Sequence, residues 1–225
     1  MDIQNQNHNI LKGYNLLLYF AGSMIMYEPN EECIVDFWQQ GILTRLPVSS
    51  SNPNFARAAS LLRESCNDKS LCLERLREDY NRLFAGQGIP LAPPFESVYK
   101  HESQSGQSGS GAADFYDSYG WVSKYKGKIK DDHLGIELLF LTLLVDKYLA
   151  LDDQVCVVEM RNEIRRFIDQ HIFSWIHNWN AKMQEHSNTL CYKGIATLIL
   201  ACIEDIYSLC DNTPATLLQP DYFKN

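Results

Sequence analysis

The stretch AGQGIPLAPPFESVYKHES, Ala85 to Ser103, decides how the chain is read. Two glycines, three prolines, a phenylalanine, a tyrosine and two glutamates interrupt patterns that are helical on both sides. Proline fixes φ and removes a backbone donor, so Pro90, Pro93 and Pro94 exclude helix and central strand alike. Two readings follow: a stiff connector packed on its own core, or a stiff apolar wall that grips an extended or helical peptide.

Outward from that break the apolar spacing is helical. Ile10, Leu11, Tyr14, Leu17, Leu18, Ala21 and Ile25 recur every three or four residues, predicting a buried first helix that stops before Pro29. Further helices are expected over Glu31–Gln40, Asn54–Cys66 and Leu73–Phe84, the last ended by Gly86 in a left-handed cap. Beyond SQSGQSGSG, whose composition cannot order itself, Ala112 to Tyr119 has room for one or two helical turns. Helices then follow over Asp132–Leu151, Val155–Gln170, Phe173–Gln184 and Thr189–Cys210, with the Asp152–Asp153 pair as the cap between the first two. Period-two alternation is absent, so no sheet is expected. The fold class is all-α, a bundle of about eight or more helices. Its expected division is an N-terminal subdomain 1–102, a hinge 103–131 and a C-terminal subdomain 132–225.

Composition narrows the function. At 225 residues, 45% of them hydrophobic, the chain fills a core. Its 28 acidic against 20 basic residues, net charge -8, repel nucleic acid and anionic lipid. Seven scattered cysteines without a CxxC pair point to reduced thiols in a cytosol. The first helix is short of the ~20 apolar residues of a span, so no stable membrane insertion is expected.

Chemistry-bearing clusters are few. Asp131, Asp132, His133 and Glu137 combine a helix cap with a His and a Glu four apart on one face. A metal-dependent hydrolase using Asp132, His133 and Glu137 is the alternative reading, although no H-E-x-x-H spacing supports it. His171 and Trp175 share a face and fit a joint between helices. No nucleophile elbow or phosphate loop is present.

Three motifs in order carry a resemblance. YNRLFAGQGIPLAPPFESVY (Tyr80–Tyr99), DDHLGIELLFLTLL (Asp131–Leu144) and FIDQHIFSWIHNW (Phe167–Trp179) are similar to the signature of the TorD/DmsD/NarJ-like redox-enzyme maturation chaperones. That resemblance implies an all-helical cytoplasmic chaperone of anaerobic respiration, not an enzyme and without a cofactor of its own. Its partner would be an apo-molybdoenzyme catalytic subunit, bound through an N-terminal, commonly twin-arginine, leader. Carried over by residue, the leader site comprises Tyr80, Leu83, Phe84, Pro94, Phe95, Glu96, Asp132 and His133. Glu96 and Asp132 would meet arginines. Gln87 and Lys130 stand where the family pattern has proline. The oligomeric state implied is a monomer or a domain-swapped dimer.

Overall fold

The computed structural model describes residues 3–34, 46–65, 69–86, 88–100 and 111–211. The expected helix beyond Ile34, the Ser/Gly stretch through 110 and Gln87 lie outside the described residues. The expectation of an all-helical protein holds. The elements are α1 (Ile3–Met26), α2 (Glu31–Ile34), α3 (Pro53–Glu64), α4 (Lys69–Tyr80), α5 (Glu96–Lys100) and α6 (Ala112–Ser118). They continue as α7 (Leu134–Leu149), α8 (Gln154–Phe167), α9 (Ile176–His186) and α10 (Leu190–Leu209). Two π-helical turns, Asn81–Ala85 and Ile168–Phe173, prolong α4 and α8.

The helix ends follow capping chemistry. Asn52 accepts from Asn54 N at 2.9 Å with Pro53 in the first turn, which starts α3. Asp153 accepts from Val155 N and Cys156 N, both 3.0 Å, and starts α8 where the Asp-Asp pair predicts it. Asp132 does not cap α7. His133 does, its Nδ1 accepting from Gly135 N at 2.9 Å. Gly86 is not left-handed either: at φ -64, ψ 168 it is extended, and it closes the π turn by donating to Asn81 O.

α10 is the central helix. Every residue from Gly194 to Ile203 is buried, and it packs against α1, α3 and α9. A helix apolar on all sides has to be surrounded, and each fully buried Leu or Ile contributes about 1.5–3 kcal/mol. α1 lays Leu17, Leu18, Ala21 and Ile25 into the same core and packs on α7. Helices from before and after residues 103–131 therefore share one apolar core. Polar ties reinforce it: Tyr14 Oη at 2.5 Å and Ser50 Oγ at 2.6 Å donate to the carboxylate of Asp205 on α10.

Gly135 sets the approach of α1 to α7. A Cβ there would enter the Met26 side chain and lie 3.2 Å from His133 Nδ1. Gly135→Ala is expected to destabilise the protein by about 1–3 kcal/mol, seen as a lower thermal midpoint. An unchanged midpoint would mean that the two helices have slack at this contact.

Cys156, Cys202 and Cys210 carry free thiols, but Cys72 is disulfide-bonded, which the expectation of reduced thiols did not include.

Candidate functional site

The proline segment is held as a third element between two helical joints. Its prolines offer no donors, and its carbonyls and remaining amides find partners on both sides. Leu91 N and Ala92 N donate to Arg82 O (3.2 Å) and Leu83 O (3.1 Å) in the first π turn. The wider π turn leaves these carbonyls outside the regular helical ladder, free to accept. Trp179 Nε1 on α9 donates to Ala92 O at 3.2 Å. Leu134 N donates to Pro94 O at 2.8 Å and Glu96 N to Asp132 O at 2.9 Å, forming an antiparallel bridge between Phe95 and His133. This is the one β-bridge among the described residues.

Beneath it lies a charged network. Glu96 is buried, with Oε1 2.5 Å from Lys100 Nζ and 3.2 Å from His171 Nδ1. Lys100 also donates to Gln170 O at 2.8 Å, and Trp175 Nε1 donates to His171 O at 2.5 Å. The second π turn thus supplies both the carbonyl of Gln170 and the imidazole of His171. His171 and Trp175 build the joint, as read from their shared face, and the joint in turn fixes Glu96. Tyr99 stacks on Trp175 with ring centroids 5.4 Å apart.

The eight residues of the expected site fall into two groups with different neighbours. Pro94, Phe95, Glu96, Asp132 and His133 meet at the bridge. Tyr80 and Phe84 form an aromatic row with Tyr192, at 5.3 Å and 5.6 Å, and Leu83 is fully buried. Of the eight, Phe84, Phe95 and Asp132 are half-buried and reach the surface, while the others are buried. Asp132 Oδ2 accepts from Ser97 N at 3.3 Å. His133 packs edge-on against Phe95 at 5.1 Å, and Lys130 Nζ lies 5.6 Å from the centre of the Phe95 ring. Burial pushes the His133 imidazole down to about 4 against the opposing pull of Asp132, so it is neutral at pH 7.

Glu137 is the unexpected member. It is fully buried and neither carboxyl oxygen has a hydrogen-bond partner, because the nearby indole N–H of Trp175 is directed at His171 O. Burial, then the charges of Glu96 and Asp132, push its carboxyl well above the usual range, against Lys100 and Trp175. Asp132, His133 and Glu137 do not assemble a metal site: among the described residues no three His, Cys, Asp or Glu side chains are grouped to hold an ion. Beside the segment, Asn81, Arg82, Gly86 and Ile89–Leu91 line a surface cavity of about 320 Å³.

Sequence reasoning missed Asp79, which is buried at the turn into α10, and the role of Lys100. The second was readable, since Glu96 and Lys100 stand four apart in one short helix.

These features define an all-helical protein whose distinctive element is an extended proline segment clasped by two widened helical turns. Residues 50–181 match the nitrate reductase delta subunit family, and the chain belongs to that family. The matched span runs from before α3 into α9 and includes the whole clasp. The chain is also 26% identical over 133 residues, 58% of its length, to a protein named chaperone protein TorD from Psychrobacter sp. (strain PRwf-1). It spans 59% of that relative's length.

Proposed function

We propose that the protein is a cytoplasmic chaperone for a molybdenum-containing oxidoreductase, binding the leader peptide of the apo-enzyme until its cofactor is inserted. The observation that carries this reading is the backbone bridge joining Pro94–Glu96 to Asp132–His133, which puts the half-buried Phe95 and Asp132 on two directly joined segments. Phe95 offers an apolar ring and Asp132 a carboxylate, the two chemistries that a leader with arginines and an apolar run demands. Glu96 is engaged by Lys100 and His171, so Asp132 is the carboxylate we assign to the arginines. The buried members, Tyr80, Leu83, Pro94, Glu96 and His133, act by positioning these two. Family membership and the name of the TorD relative agree with the role. No helix among the described residues is long and apolar enough to cross a membrane.

Calorimetric titration with the leader of a molybdoenzyme from the same cell tests the reading. Saturable binding at micromolar concentration is expected, weakened about tenfold or more by Asp132→Ala and by replacing the leader arginines with lysine. Phe95→Ala is expected to weaken both leader forms alike. If no such leader or apo-enzyme binds on the order of micromolar, the proposal is wrong.

A further inference from the structure

The loop entering α7 reads VSKYKGKIK over Val122–Lys130, with lysines at 124, 126, 128 and 130 in a chain of net charge -8. All four are exposed, and none forms an ion pair among the described residues. The loop's own bonding turns Tyr125 and Ile129 inward. Lys128 N and Ile129 N donate to Tyr125 O at 2.8 Å and 3.1 Å, Tyr125 and Ile129 pack against the core, and Gly127 makes the turn at φ 80. Asp131 and Asp132 follow directly. Asp131 carries on its carbonyl oxygen the Tyr116 hydroxyl at 3.1 Å, and the Asp132 carboxylate is turned to Ser97 N.

Next to this basic loop is apolar surface that the core leaves open. Leu16 and Tyr19 on α1 are 59% and 52% exposed, and Val122 is 59% exposed. Lys124 Nζ lies 6.0 Å from the Tyr19 ring centre and 5.0 Å from that of Tyr125, tying α1 to the loop. At the far end Lys130 reaches Phe95. A single surface therefore runs from α1 along the lysines to the clasp.

We infer that this surface docks an acidic segment of a partner polypeptide that also carries apolar side chains. The charge pattern selects the occupant. The molecule as a whole repels acids, so an acidic chain is attracted only where cations are clustered and unpaired. An anionic bilayer presents a flat face to the whole acidic molecule, and Lys124 and Lys130 lie over rings instead of projecting toward such a plane. A chain segment follows the loop from one ring to the other. The inference rests on the chaperone reading in one respect, that the segment belongs to the client whose leader meets Phe95 and Asp132.

The test uses the full chain and a fluorescein-labelled peptide of alternating Glu and Leu. Binding is expected to saturate, to weaken as salt is raised, and to fall about tenfold in the double variant Lys126→Glu/Lys128→Glu. A Lys/Leu peptide of the same length is expected not to compete. Both substituted side chains are exposed, so the melting midpoint is expected to stay put, and leader affinity to change less than about twofold. Loss of leader binding in wild type would strike the chaperone reading alone. Equal affinity of parent and double variant for the Glu/Leu peptide would overturn the inference. So would binding of phosphatidylcholine–phosphatidylserine vesicles, lost in the double variant, without binding of the peptide.

Discussion

Asp79→Ala is expected to lower the unfolding free energy by about 3–5 kcal/mol, measured by urea denaturation followed by far-ultraviolet circular dichroism. The Asp79 side chain is 1% exposed and accepts from Asn188 N (3.0 Å), Thr189 N (2.9 Å), Thr189 Oγ1 (2.8 Å) and Arg82 Nη1 (3.0 Å). Thr189 is the N-cap of α10, and its hydroxyl accepts from Tyr192 N at 3.3 Å while donating to Asp79. One carboxylate on α4 thus fixes the start of the central helix from a site more than a hundred residues away in sequence. Truncation strands the amides of residues 188 and 189, and an unsatisfied buried donor costs about 1–3 kcal/mol. Arg82 is 40% exposed and contributes little. Asp79→Asn keeps an acceptor for one backbone donor but faces another with its NH2, and an intermediate loss is expected. A loss below about 1 kcal/mol for the alanine variant would show that the start of α10 is stable without Asp79.

The second large effect is on pH dependence. Glu137 has its folded pKa raised above the unfolded value of 4.5, so its contribution is fully present below 4.5 and is lost as pH rises toward the folded pKa. In that window the folded state holds one proton more than the unfolded chain, and stability falls by about 1.4 kcal/mol per pH unit. His133 has the opposite sign. Its folded pKa of about 4 lies below 6.5, so its contribution is present above 6.5 and lost as pH falls toward 4. From 4.5 upward, as far as the raised folded pKa of Glu137, its slope opposes that of His133 wherever the two windows overlap. Glu137→Gln is expected to remove the decline that sets in above 4.5 and to uncover the rise due to His133 below 6.5. Denaturation from pH 4.5 to 8 checks this. If the difference between wild type and Glu137→Gln is constant across that range, Glu137 is not the buried acid described here.

Much of the fold was legible because helical stripes such as Leu11–Tyr14–Leu18–Ala21–Ile25 survive directly as buried faces. Asp153 was legible as a cap, and Ala112–Tyr119 as a short helix. Of the candidate site, five residues read from the sequence meet at the bridge. What escaped were features that depend on distant partners. A π turn differs from α by one residue per turn and leaves no period to read in a span as short as Asn81–Ala85. Gly86 fits a left-handed cap by composition, yet the π turn draws its amide back to Asn81 and holds it extended. His133 displaced Asp132 as the cap because the Phe95 bridge fixes the backbone there and leaves the Asp132 carboxylate to Ser97. Asp79 lies among charged neighbours that look solvated until α10 is packed beside it.

The two π turns carry a consequence for how the chain tolerates insertion and deletion. In an α-helix each residue advances the chain by about 100°. Loss of one residue from Asn81–Ala85 or from Ile168–Phe173 would turn an i→i+5 bond such as Gly86 N to Asn81 O into an α turn and shift the carbonyls and side chains within the turn by up to that angle. The carbonyls of Arg82 and Leu83 would turn from Leu91 and Ala92, and the His171 ring from Glu96. Point substitutions at these joints can be absorbed one side chain at a time. A single-codon deletion at either joint removes its half of the clasp in one step, so at these two places residue count is constrained more tightly than residue identity.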